Sequence, residues 1–166
     1  MVALQDEAIK LRAFADADVP ALTAACQDPE IPRWTTVPSP YGEDEARSFI
    51  QSRPNARAIV DASTGELLGS IGWRLVDQEN IQIGYWVARE RRGAGVATRA
   101  LRLLSRWALE ELAAGRVQLL ADPGNTASQR VAEKAGFTRE CVLRSYLNAK
   151  GTRRDGIMFS LLPEDL

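Results

Sequence analysis

Residues Ile81 to Ala97, IQIGYWVARERRGAGVA, join an alternating strand to a long amphipathic helix through a turn with two glycines one residue apart. Ile81, Ile83, Tyr85 and Val87 fall on one face of that strand, the period of two that marks a half-buried strand. Gly93 and Gly95 lack a Cβ, so the backbone turns tightly there and presents bare N–H groups. The helix that follows leaves its first N–H groups unpaired and adds the positive end of its dipole. Strand, glycine turn and helix start, in that order, suit a phosphorylated ligand.

A Walker loop needs Gly-Lys-Ser/Thr at its end, and here Val96 and Ala97 follow Gly95. A dinucleotide fingerprint sits directly after its strand and has an acid about 20 residues on. Here Ala88 to Arg92 intervene, and Gly115 stands where the acid belongs. What remains is Arg92-x-x-Gly95-x-Ala97 after Tyr85-Trp86-Val87. It resembles the acetyl-CoA pyrophosphate loop of the GNAT N-acetyltransferases, with an ordinary strand-to-helix connection as the plain alternative. Downstream, Asn125-x-x-Ser128 is followed by Glu133-Lys134-Ala135-Gly136-Phe137. Asn125 is a good helix N-cap and Gly136 sits where a C′ glycine belongs, so a capped core helix explains this stretch by itself. The two motifs in this order nevertheless resemble the RimJ/RimL-like branch of the GNAT superfamily. Arg33-Trp34-Thr35, Val37-Pro38-x-Pro40-Tyr41 and Ser160-Leu161-Leu162 are similar to it as well. The resemblance runs from about Ile9 to Leu162.

At 166 residues the chain is long enough for one self-sufficient domain, expected over 1–166. Hydrophobic residues at 45% and charged ones at 26% are those of an ordinary globular protein. No apolar run approaches the 18 or so needed to span a bilayer, and MVALQDEAIK lacks the pattern of a signal peptide. Cys26 and Cys141 are too far apart in sequence to read as a metal pair, so a cytoplasmic setting without a metal is expected. The absence of histidine removes Ser-His and Cys-His hydrolase chemistry. A net charge of −1 argues against general nucleic-acid binding. Arg99, Arg102 and Arg106 read as a solvated helix face, whereas Arg89, Arg91 and Arg92 precede the helix beside the expected pyrophosphate.

Ile9 to Phe14 reads as a first strand and Asp18 to Cys26 as a helix, followed by a loop broken by Pro29, Pro32, Pro38 and Pro40. Glu43 to Gln51 read as a second helix, and Ala56 to Val60 with Leu67 to Leu75 as a hairpin around Ser63-Thr64-Gly65. In the main helix Val96, Ala100, Leu104, Trp107, Ala108 and Leu112 form the core stripe. Strands near Val117 to Ala121, Thr138 to Tyr146 and Ile157 to Leu162 complete the pattern. The resemblance implies the α/β GNAT acyl-CoA N-acyltransferase fold, a mixed, mostly antiparallel twisted sheet flanked by helices.

The same resemblance implies an N-acetyltransferase with acetyl-CoA as co-substrate. Its pyrophosphate is expected on Arg92, Gly93, Ala94, Gly95, Val96, Ala97 and Thr98, and its pantetheine on the backbone of Trp86, Val87 and Ala88. There the strand is expected to part from its neighbour, and an amide near Val87 to polarise the thioester. A tyrosine common in the superfamily falls at Ala132, so Ser128 becomes the candidate acid, Asn125 holding the pantetheine or the loop. Ser128 also reads as a plain first-turn serine. Related chains carry glutamate where this one has Gln82. Glutamine accepts no proton from an ammonium, and Asp77, Glu79 and Asp155 read more readily as turn or surface acids, so the base stays unassigned. A site without a strong base suits an amine of low pKa, such as a peptide or protein N-terminus. Small amines remain the alternative acceptors, and a CoA-binding module with little catalysis the alternative class. Trp34, Tyr41 and Gln82 are the expected acceptor-side residues. Neither nucleic acid nor membrane is an expected partner, and a homodimer is one open oligomeric state.

Overall fold

The computed structural model describes residues 4–166. The strands are β1 (Leu4–Gln5), β2 (Ile9–Arg12), β3 (Ala56–Asp61), β4 (Leu67–Leu75), β5 (Asn80–Val87), β6 (Arg116–Ala121), β7 (Thr138–Ala149) and β8 (Thr152–Leu161). The helices are α1 (Val19–Ala25), α2 (Glu30–Trp34), α3 (Glu43–Ser52), α4 (Val96–Glu110) and α5 (Thr126–Ala135). Hydrogen bonding orders the eight strands β1-β2-β3-β4-β5-β6-β8-β7. The β5–β6 pair is parallel, and the pairs β1–β2, β2–β3, β3–β4, β6–β8 and β7–β8 are antiparallel. Contacts divide the chain into two compact units, residues 1–72 with 85–100, and residues 73–84 with 101–166.

In the first unit, Asp18 takes both Arg12 guanidinium nitrogens at 2.7 Å and the Ala15 N–H at 2.8 Å, which sets the entry to α1. α3 has Glu43, Asp44 and Glu45 in its first turn, suited to the positive end of its dipole, and Glu45 accepts from the Gly42 N–H at 2.8 Å. Val19, Leu22, Cys26, Ile31, Tyr41, Ala46 and Trp86 form a buried core, against which Phe14 and Phe49 pack edge to face, 5.5 Å apart. The proline-broken segment is more ordered than expected: Glu30–Trp34 is a helix. Pro29 is its N-cap and Pro32 lies in its first turn, where a missing N–H loses no helical bond.

In the second unit, Leu101, Leu104 and Ala108 of α4 are fully buried, as are Val117 of β6 and Phe159 of β8. Leu112 departs from the expected stripe and is 41% exposed. α4 stops at Glu110, where the Leu112 N–H reaches back to the Trp107 carbonyl and Ala113 turns left-handed at φ 52°. Leu75 is 60% exposed at the end of β4. The last hairpin is longer than the expected strands. Arg144, Ser145 and Tyr146 bulge out between the Leu143–Gly156 and Leu147–Arg154 pairs, and that interruption hides the strand periodicity. The hairpin turns at Lys150 and Gly151, both with positive φ.

Candidate functional site

Gly93 and Gly95 both have φ of 79°, a conformation side chains resist, and a Cβ built at either meets nothing within 4 Å. The glycines therefore serve backbone shape and open space together. Helix bonding starts only at Arg99, whose N–H reaches the Gly95 carbonyl at 3.0 Å. Among the described residues, the amides of Gly93 to Thr98 have no partner in the chain. Such bare amides at the start of a fifteen-residue helix fit an anion, and a pyrophosphate in particular.

The chain enters this loop from β5 in a fixed posture. The Ala88 N–H donates to the Leu68 carbonyl at 2.8 Å, so it faces β4. Successive residues of a strand present their polar groups to opposite edges. The groups of Val87 therefore face away from β4, and its carbonyl accepts from Arg92 Nε at 3.1 Å. A Cβ at Gly69 would lie 2.3 Å from the Trp86 carbonyl oxygen, so only glycine lets these strands lie this close. Trp86 is 8% exposed and its side chain belongs to the core, while its backbone groups, by the same alternation, face β4. Among the described residues, the parallel β5–β6 ladder pairs Asn80, Ile81 and Gln82 with Arg116, Val117 and Gln118.

Arg92 has a different employment from the one expected. Besides Val87, its guanidinium holds Asp28 at 2.5 Å. Asp28 is almost fully buried as a side chain. Burial would raise its pKa, but the Glu30 amide and Arg92 hold it below the ordinary carboxylate value. Arg91 pairs with Glu66, and Arg99 with Asp6 and Glu7. The charges of Arg91 and Arg92 are thus countered within the first unit, and the phosphate-fitting elements of the loop are its amides.

On the acceptor side, Trp34 ends α2 half-buried, its indole N–H donating to Glu30 at 3.0 Å and Arg33 stacked 4.6 Å from its ring centre. Tyr41 corrects an expectation. It is a core residue at 7% exposure, its phenol pushed well above its usual pKa by burial and by the neighbouring Cys26, so it anchors the loop. Burial likewise raises the Cys26 thiol to about 12. Gln82, in the second unit, is half-buried and its amide oxygen accepts from Arg74 at 2.9 Å. Asp77 caps its own turn through the amides of Glu79 and Asn80. Asp155 accepts the Ser145 N–H at 2.8 Å, and the Glu79 carbonyl takes the Gly115 N–H at 2.9 Å. The carboxylates of Asp77 and Asp155 thus each accept from backbone amides, whereas the Glu79 contact is made by its main chain.

Asn125 and Ser128 also lie in the second unit. The Asn125 side chain caps α5, its Oδ1 taking the Ser128 N–H at 3.1 Å. At the other end Gly136 is left-handed at φ 97°, and the Phe137 N–H returns to the Ala132 carbonyl at 3.0 Å, a Schellman close. Ala132, at the position of the superfamily's tyrosine, is fully buried. Three residues escaped the sequence reading: Asp28, Gly69 and Arg74. Gly69 was legible as a break in an apolar alternation, but its partner strand was not; Asp28 and Arg74 had no local signal. Among the described residues no cluster fits a metal ion, and no helix is long and apolar enough to cross a membrane.

Comparison with known proteins agrees with this geometry. The chain is 30% identical to the uncharacterized N-acetyltransferase p20 of Bacillus licheniformis, over 99% of this chain and 98% of that one. It is 40% identical, over 61% of this chain and 56% of the relative, to a protein of Bacillus subtilis strain 168 provisionally named ribosomal N-acetyltransferase YdaF. Its fold matches that of RimL, a ribosomal L7/L12 alpha-N-protein acetyltransferase solved with coenzyme A, with a TM-score of 0.85, 19% identity and 99% of both chains covered. The model of the acetyltransferase (GNAT) domain matches residues 8–138, which include β5, the glycine turn, the start of α4 and the Asn125 cap. With that match over most of its length, the chain belongs to the GNAT acetyltransferases.

Proposed function

We propose that this N-acetyltransferase, working as a single domain, moves the acetyl group of acetyl-CoA to the α-amine of a peptide or protein N-terminus. Acetyl-CoA supplies a thioester whose carbonyl carbon an amine attacks directly. The open amides of Gly93 to Thr98 take its pyrophosphate. The backbone of Val87, turned away from β4, takes the pantetheine, and its N–H stabilises the charge developing on the carbonyl oxygen. Ser128 Oγ donates to the departing sulfur, and Asn125 holds the start of α5 that carries it.

One observation carries the choice of acceptor: Gln82 stands where a carboxylate is expected, and its oxygen is occupied by the Arg74 guanidinium. Neither group removes a proton from an ammonium, so the acceptor must reach the site neutral by its own pKa. An α-amine titrates near 7.7–8.0 and a lysine near 10.4, a gap of about 2.5 units, or roughly 3.4 kcal/mol. The relative named as a ribosomal N-acetyltransferase supports a protein acceptor. The test is acetyl-CoA turnover, read by free thiol, with N-terminal peptides, the same peptides blocked at the α-amine but carrying lysine, and small amines. Turnover confined to the free α-amines is expected. Turnover with small amines alone would assign a small-molecule acetyltransferase, and CoA binding without turnover a binding module.

A further inference from the structure

Asp28 and Arg92 lie 64 positions apart in sequence and join in one chain of contacts. Asp28 uses both carboxylate oxygens. Oδ1 accepts from the Glu30 N–H at 3.2 Å, at the start of α2, and Oδ2 accepts from Arg92 at 2.5 Å. Arg92 in turn donates through Nε to the Val87 carbonyl at 3.1 Å. The same peptide group is held on its other side, where the Ala88 N–H donates to Leu68 at 2.8 Å. The Val87–Ala88 peptide is therefore clamped between β4 and the Asp28–Arg92 pair.

We infer that Asp28 is a positioning residue for acetyl transfer: through Arg92 it fixes the end of β5, and hence the Val87 amide that faces the thioester. The inference rests on the reading of Val87 given above. The pair is built for this use. A carboxylate and a guanidinium hold each other with two charge-assisted partners, more stiffly than neutral hydrogen bonds do. The Asp28 side chain is 8% exposed and the Arg92 side chain 38%, so the carboxylate is held inside while the guanidinium reaches it from the surface. The carboxylate gives Arg92 an anionic partner within the chain, and the guanidinium so held also reaches the Val87 carbonyl. Its presence makes sense if the role of Arg92 is to hold the backbone. The link also ties the strand end to α2, whose last residue is Trp34, so both ends of the contact chain are elements proposed to face substrate.

The variant Asp28→Asn isolates the link, because asparagine keeps an acceptor oxygen for the Glu30 N–H and puts an NH2 donor, with no charge, where the oxygen took Arg92. In Asp28→Asn kcat should fall about tenfold, less than the hundredfold that gross misplacement of reacting groups costs, with the Kd for CoA within about twofold of the parent. Arg92→Gln should do the same, and the double variant should be no slower than the slower single one, since both remove one link. The Ala88 amide nitrogen resonance reports the hydrogen bond on the Val87 carbonyl without turnover, and should move in both single variants. An unchanged resonance, an unchanged kcat, a parallel loss of CoA affinity, or effects that multiply in the double variant would each overturn the inference. Should the parent turn over no amine at all, the acceptor reading falls, and the resonance and CoA affinity still decide whether the clamp exists.

Discussion

Two helix starts, those of α4 and α5, differ in one respect that separates binding from building. α5 begins at Asn125, whose side chain takes the Ser128 N–H, so one of its orphan amides is answered within the chain. α4 begins after Gly95, which has no side chain to offer, and the amides of Gly93 to Thr98 are left open among the described residues. The backbone enforces the contrast. Asn125 has φ of −89° and Gly95 of 79°, and a side chain placed at Gly95 would point into open space. A helix start closed by its own sequence is a structural element, and one kept open by glycine is available to an anion.

The sharpest way to break this comparison is Gly95→Glu. It places a carboxylate in the open start, and CoA binding measured by calorimetry should be lost. The fold should survive, since the new side chain meets no neighbour and the left-handed backbone costs about 1–2 kcal/mol. Normal CoA binding by a folded Gly95→Glu protein would show that the start of α4 is not the pyrophosphate site.

At α5 the amide of Ser128 is spent, so any chemistry there belongs to its hydroxyl. Ser128→Ala should lower kcat by about a hundredfold, the usual weight of an acid–base group, with CoA affinity kept. If single-turnover rates stay equal, α5 carries no catalytic group at this position. The acceptor inference gives a pH effect of intermediate size. Activity toward an N-terminal peptide should rise with pH and level off near pH 8, as the amine itself deprotonates. Gln82→Glu supplies a base and should move the rise to lower pH. Arg74, 2.9 Å from the present amide oxygen, would hold that new carboxylate ionised and make it a weak base, so the shift should grow when Arg74→Gln is added. A profile identical in all three proteins would remove Gln82 from the acceptor site.

The smallest effect tests the closed start directly. Asn125→Ala should lower stability by about 1 kcal/mol through loss of the cap, seen as a lower denaturation midpoint, while Asn125→Asp keeps it. No stability difference between the two would mean that α5 owes nothing to its cap.

The features legible in the sequence are those set by a few consecutive residues. Gly93 and Gly95 turn the backbone with positive φ, Asn125 caps α5 through the Ser128 N–H, and Gly136 closes that helix in the left-handed conformation, the local shapes these residue types suggest. The reason is local: which φ a residue tolerates, and whether its side chain reaches an amide three positions away, depend little on the rest of the chain. Even there the reading stopped where periodicity stopped, at the bulge of Arg144 to Tyr146 and in the short helix behind Pro29. Tertiary structure alone decided the partners. It paired Arg92 with Asp28 and the Val87 carbonyl, drew Tyr41 into the core, set Arg74 against Gln82, and brought the Trp86 carbonyl so close to Gly69 that no side chain fits. Each of these joins segments that meet only when strands align and a core closes, and the free energy that closes a core comes from apolar area with no preference for direction. The sequence therefore determined where the backbone lies open to a ligand, and the packing determined which side chains hold it there.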